Sequence, residues 1–175
     1  IKTVNVDLIA GLPADNFKRF SSTIDRIISL DPENITVHTF CFKRAAALSK
    51  ADGEPFVPDV PTAAKCIQYS QLMLANAGYK PYYMYRQKST LQSLENVGFS
   101  HPQHESLYNI YIMEEIQTII SCGAGGVSKV VGPNGELKRV YNYKYPHEYI
   151  KDFAAIIARK DEVFDTCRQF GYQKD

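Results

Sequence analysis

Apolar and polar positions alternate at the start of the chain. In VNVDLIAGLPAD, residues 4–15, Val4, Val6, Leu8 and Ala10 fall on one face of a strand and Asn5, Asp7 and Ile9 on the other. Gly11-Leu12-Pro13 reads as a turn, after which Phe17, Phe20, Ile24, Ile27 and Ile28 recur at helical spacing up to Leu30, with Asp15 as N-cap. Asp31-Pro32 ends that helix, because proline cannot continue it, and Ile35 to Phe42 reads as a β-branched second strand. Strand, helix and strand in this order predict a parallel pair. Lys43 to Val60 reads as a long polar loop, followed by a helix from about Pro61 with Ala63, Ile67, Leu74 and Ala77 on one stripe and Gly78 at its end.

From Tyr79 the pattern changes from aliphatic to aromatic and basic. Tyr82 to Lys88 reads as a strand in which Arg86 and Lys88 share a face with Tyr82 and Met84. Leu91 to Glu105, holding Gly98, Pro102 and two histidines, reads as loop, and Tyr108 to Thr118 is ambiguous, with a short helix expected near Met113 to Gln117. Asn134-Gly135 is a type I′ hairpin signal between two strands. Pro146 opens a helical C-terminal part with Phe153, Ile156 and Ile157 as its apolar side.

Composition changes this picture little. At 175 residues, 45% hydrophobic and 22% charged, the chain suits one soluble α/β domain, and a formal charge of +1 gives no case for nucleic acid or membrane as partner. Cys41, Cys66, Cys122 and Cys167 form no CxxC cluster and read as reduced thiols of a cytoplasmic protein. The chain starts at Ile1 directly in a strand pattern, as a piece of something larger would.

Candidate chemistry gathers at strand ends, since parallel βα units place ligands at the carboxyl ends of their strands. Those positions are Asp7, Ile9 and the Gly11-Leu12-Pro13 turn for the first strand, and Cys41 to Arg44 for the second. A carboxylate in a buried strand needs a partner, so the fold or a ligand must supply one for Asp7. His38, amid apolar residues, reads by itself as a core histidine. Gly123, Gly125 and Gly126 allow either close approach to a ligand or a packing bend, and no GK[ST] follows to make a phosphate loop. His101 and His104 lack a companion ligand in sequence, so no metal site is expected there. Arg86 and Lys88 suit either a planar ligand bearing carboxylates or a charge-protected edge strand.

Five segments in order, DLIAGLP, the helix after it, LDPENITVHTF, AGY with YYMYRQK and ENVG, and SCGAGGVSK, resemble the C-terminal half of the oxygen-independent coproporphyrinogen III oxidases, a family of radical S-adenosylmethionine (radical SAM) enzymes. The resemblance implies the C-terminal part of a partial (β/α) TIM-like barrel, extended by antiparallel strands and closed by C-terminal helices. Residues 1–90 would form the βα units, 91–145 the antiparallel extension with the glycine-rich segment, and 146–175 the terminal helices, within one domain. It further implies that Asp7 contacts bound S-adenosylmethionine, with Ile9 as another cofactor-binding position, that Cys41, with His38 three residues before it, lies near the adenosyl group, and that Gly123, Gly125, Gly126 and Val127 also contact the cofactor. Arg86 and Lys88 become candidates for the substrate's propionates.

The family's three-cysteine motif for a [4Fe-4S] cluster would lie upstream of Ile1, so this chain alone is expected to be inactive and to need the N-terminal half as partner. The implied reaction is oxidative decarboxylation of coproporphyrinogen III to protoporphyrinogen IX. The family's asparagine-tyrosine-tryptophan stretch is altered, with Tyr108-Asn109-Ile110-Tyr111 in its place and no tryptophan in the chain. A haem-binding chaperone of the same family and a radical SAM enzyme with another substrate are the alternatives.

Overall fold

The computed structural model describes residues 2–41, 59–85 and 94–171. They fall into two units, Ile1–Leu107 and Tyr108–Asp175.

The first unit opens with β1 (Asn5–Ala10), α1 (Phe17–Leu30) and β2 (Asn34–Thr39), and β1 pairs with β2 in parallel, as strand-helix-strand order predicts. Asn16, one residue later than expected, is the N-cap of α1: its side chain accepts from the Arg19 N–H at 3.0 Å, while Asp15 accepts from the Asn16 N–H at 2.8 Å. The helix stops at Asp31, which adopts the left-handed region at φ 51° and donates its N–H to the Ile28 carbonyl, with Pro32 next. The second helix, α2 (Val60–Asn76), is capped by Asp59, whose carboxylate accepts from the Thr62 N–H at 3.0 Å, and Gly78 at φ 89° turns the chain out of it. Ala77, placed on the apolar stripe by spacing, is exposed just past the helix end.

The sheet order is β1-β2-β4-β3, with β3 at Lys80–Tyr85 and β4 at Asn96–Ser100. The segment expected to be loop therefore contains a central, fully buried strand that runs antiparallel to both neighbours. Its alternate residues Asn96, Gly98 and Ser100 are turn-forming types, which leaves only Val97 and Phe99 as an apolar signal. The side chain of Asn96 fits the strand because its Oδ1 accepts from the Thr39 N–H at 2.7 Å and its Nδ2 donates to the Tyr85 carbonyl at 3.3 Å. Glycine is required at 98, since a Cβ there would meet the ring of Tyr83. A bulge between Pro81 and Tyr83 breaks the alternation of β3, so Tyr82 joins Tyr83 and Tyr85 on one side instead of sharing a face with Met84.

The sheet thus has two unlike faces. One carries Leu8, Ala10, Ile35, Val37, Val97 and Phe99, packed against Phe20 and Ile24 of α1 and Cys66, Ile67 and Leu74 of α2. The other carries Asn5, Asp7 and Ile9 of β1 beside Asn34, Thr36 and His38 of β2, as the register dictates. The tyrosines of β3 reach across β4 to that second row. The Asn34 amide donates to the Tyr82 hydroxyl at 3.1 Å, the hydroxyls of Thr36 and Tyr83 share a bond of 3.3 Å, and the Tyr85 hydroxyl lies 3.1 Å from His38 Nδ1.

In the second unit α3 is Leu107–Glu114, starting earlier than the helix expected from sequence, and β5 (Val127–Val131) pairs antiparallel with β6 (Leu137–Tyr141). The hairpin is present but its turn is not type I′: Asn134 is not left-handed, Gly135 at φ 83° is, and the Gly135 N–H donates to the Gly132 carbonyl. After α4 (Pro146–Lys151), with proline in its first turn, α5 (Phe153–Gln169) lays Val163 against Val130 and Val140 of the hairpin. Of the three apolar residues expected on the buried side, Ile156 is buried, whereas Phe153 and Ile157 are exposed. Among the described residues no helix is long and apolar enough to cross a membrane.

Candidate functional site

At the carboxyl ends of β1 and β2 lies a cavity of about 440 Å³, lined by Asp7, Ile9, His38, Thr39, Phe40, Cys41 and Tyr85. It brings together the four candidate positions of the first two strands, Asp7, Ile9, His38 and Cys41. Asp7 is not buried, contrary to the premise that made it conspicuous: its side chain is 59% exposed, because β1 is an edge strand among the described residues. Its Oδ1 accepts from the Asn5 amide at 2.9 Å and stands 3.6 Å from His38 Nε2. Ile9 is 41% exposed beside it and offers an apolar wall. The Thr39 hydroxyl is buried at the edge of the cavity and has no hydrogen-bond partner among the described residues.

A carboxylate acceptor, an imidazole and apolar walls together suit a ligand with hydroxyl or amine donors and a flat apolar part, in a volume typical of small-molecule sites. Tyr85 escaped the sequence reading. It ends a strand whose direction matches that of β2, so the strand-end rule would have found it had β4 been recognised between them.

A smaller hollow of about 190 Å³ lies between the first turns of α1 and α2, lined by Gly11, Asp15, Asn16, Asp59, Thr62 and Cys66 among others. It holds no activated nucleophile, since burial first, then the charges of Asp15 and Asp59, push the Cys66 thiol up to about 11.

In the second unit, the glycines meet demands of the chain itself. Gly123 and Gly125 are left-handed at φ 88° and 73°, and Gly126 packs against Ser121 and the Cys122 and Gly123 carbonyls. The Gly125 N–H donates to the Tyr143 carbonyl at 2.7 Å and the Gly126 carbonyl accepts from the Asn142 N–H at 2.9 Å. Lys160 of α5 holds the base of this loop, donating to the Ser121 carbonyl at 2.6 Å, Asn142 Oδ1 at 3.1 Å and Ser128 Oγ at 3.2 Å. Nothing in local spacing links Lys160 to Ser121, 39 residues away. Val127 begins β5, half-buried, opposite Tyr141.

Arg86 and Lys88 lie outside the described residues. His101 and His104 sit at the end of the sheet where β1 and β2 begin and β4 ends, and serve the fold: His101 Nε2 is 3.0 Å from Asp31 Oδ1 with its ring stacked on Tyr79, and His104 Nδ1 meets Thr3 Oγ1 at 3.0 Å. Burial, then the Asp31 charge, push the Tyr79 phenol up to about 12. Among the described residues no three histidine, cysteine, aspartate or glutamate side chains group as metal ligands.

No protein-family model matches the chain. Among curated proteins it is 40% identical over 154 residues to the oxygen-independent coproporphyrinogen-III oxidase-like protein HemZ of Bacillus subtilis, an alignment covering 87% of this chain and 31% of that protein. The chain is homologous to a segment of that protein. A second homologue, the oxygen-independent coproporphyrinogen III oxidase of Thermostichus vulcanus, is 31% identical over 80 residues, which are 45% of this chain and 25% of that one. The chain therefore spans less than a third of the curated relatives it matches. The fold is similar to that of the Escherichia coli coproporphyrinogen III oxidase HemN, described as a radical SAM enzyme, with a TM-score of 0.55 at 16% identity over 86% of this chain and 35% of HemN. Both units are mixed or antiparallel structures with small, unclosed sheets, so the shared fold is α/β in the coarse sense.

Proposed function

We propose that this chain is the C-terminal segment of a radical SAM enzyme that oxidatively decarboxylates coproporphyrinogen III to protoporphyrinogen IX in the cytoplasm. In this reading β1, α1, β2 and α2 are the last βα units of a partial barrel, and the β5-β6 hairpin, α4 and α5 are the antiparallel and helical segments that follow them in the chain. The observation that carries the proposal is the cavity at the strand ends, where Asp7, Ile9, His38 and Cys41 meet in a chain 40% identical to HemZ.

The residues present fit S-adenosylmethionine: the volume is adequate, Asp7 offers an unburied acceptor, and Ile9, Phe40 and Tyr85 offer apolar walls. Asp7 accepts hydrogen bonds from the ligand, while His38 holds the carboxylate from the opposite side. Cys41 and Thr39 form the edge nearest the end of β2. Arg86 and Lys88 bind propionates. When bound, the cofactor supplies a hydrogen-abstracting radical, and this segment binds and orients. Ligands for a [4Fe-4S] cluster come from sequence outside this segment, since its free cysteines are dispersed.

Replacing Asp7 by alanine in the full-length protein is expected to weaken S-adenosylmethionine binding, measured by calorimetry, roughly tenfold to a hundredfold, the value of a charge-assisted hydrogen bond of about 1.5–3 kcal/mol. Thermal stability should stay unchanged, because the side chain is largely exposed. Unchanged affinity would overturn the cofactor reading.

A further inference from the structure

The function proposed above uses only the ring of Tyr85, as an apolar wall of the cavity, and leaves its hydroxyl without a role. Its hydroxyl crosses β4 to lie 3.1 Å from His38 Nδ1, and its ring meets the imidazole edge-on at a centroid distance of 6.2 Å. On the other side it stacks parallel to Tyr83 at 6.3 Å. Its carbonyl and the N–H of Thr39, the neighbour of His38, are held by the same fully buried amide of Asn96. Backbone and side chain of Tyr85 are thereby fixed relative to His38.

The direction of the protons follows from the far end of the chain of groups. A carboxylate oxygen only accepts, so charge complementarity across the 3.6 Å to Asp7 favours placing the hydrogen of a neutral imidazole on the nitrogen that faces it, Nε2. Nδ1 is then a bare acceptor, and the Tyr85 hydroxyl must donate to it. We infer that Tyr85 is a positioning residue: it fixes His38 in the Nε2–H tautomer and ring orientation in which the imidazole turns its donor to Asp7 and holds that carboxylate for the ligand. This rests on the reading of Asp7 as the S-adenosylmethionine contact. A tyrosine that merely walls the cavity would act through its ring alone, and phenylalanine would replace it without effect.

The test uses the full-length protein labelled with 15N in histidine, together with its Tyr85→Phe variant, which keeps the ring. In the wild type the two His38 nitrogens are expected to resonate far apart, Nδ1 as the bare and Nε2 as the protonated nitrogen. In Tyr85→Phe they should move towards each other as the tautomers mix, and the dissociation constant for S-adenosylmethionine should rise about twofold to tenfold, the range for one hydrogen bond. A protonated Nδ1 in the wild type, a measurement that needs no variant, would overturn the inference. So would His38 shifts that are the same in both proteins, or shifts that change without any loss of affinity. Failure of the underlying cofactor reading shows separately, as Asp7→Ala binding S-adenosylmethionine normally while the His38 shifts still respond to Tyr85→Phe.

Discussion

The two faces of the four-stranded sheet are built from alternate residues of the same strands and do opposite things. On the face under α1 and α2, Ile35, Val37, Val97 and Phe99 are shut away from water by Ile24, Leu74 and their neighbours. On the other, the same strands present Thr36, His38 and Asn96, each hydrogen-bonded to a tyrosine of β3, and Asp7, which stands 3.6 Å from His38. Burial of apolar area stabilises the first, at about 25 cal/mol per Å². The second contributes less of that kind, and two of its polar groups, Asp7 and His38, line the cavity where a ligand can reach them. A period of two separates stability from chemistry within six-residue strands.

The largest expected effect falls on the helix-covered face. Leu74→Ala leaves a cavity under a side chain that is fully buried, and should lower the unfolding free energy of the full-length protein by about 3 kcal/mol in urea titration. Its affinity for S-adenosylmethionine should be unaltered. An equal loss of affinity would mean that the faces are not independent.

Next comes the thiol on that face. With Cys66 pushed up to about 11 from 9.0, its thiolate fraction near pH 8 falls about a hundredfold, and the greater basicity returns about tenfold of that rate. Iodoacetamide followed by mass spectrometry should therefore find Cys66 at least about ten times slower than the exposed Cys122. Equal rates would show that α2 opens readily from the sheet.

The smallest effect belongs to the tyrosine face. Tyr83→Phe removes one half-buried hydroxyl bond to Thr36 and should cost about 0.5–1 kcal/mol, with the fold and Gly98 packing kept. A loss as large as that of Leu74→Ala would make the tyrosine row a core in its own right.

What the sequence made legible follows the same division. The β1-α1-β2 unit could be read because its apolar residues repeat at two and then at 3.6, and because Asp31-Pro32 punctuates it. Asp7, Ile9 and Cys41 of the cavity followed from strand direction, whereas His38 reads by itself as a core histidine and enters only through the resemblance. β4 was invisible for a physical reason: its polar-side residues are small or hydrogen-bonding because tyrosines from β3 lie over them, a contact no local pattern encodes. The bulge at Pro81/Tyr83 likewise moved Tyr82 off the face that alternation assigns it. Tyr85 and Lys160 act through partners distant in sequence, so their roles appear only in three dimensions.

Gly98 and Tyr83 occupy, in effect, one volume. A methyl group added at 98 has nowhere to go unless the ring at 83 leaves, and a ring at 83 has nowhere to lie unless 98 is bare. The two positions are therefore a single heritable character: each substitution alone is harmful, and a larger residue at 98 becomes admissible only after 83 has shrunk. Drift at this spot has to proceed in a fixed order, so position 98 stays bare for as long as a ring lies at 83.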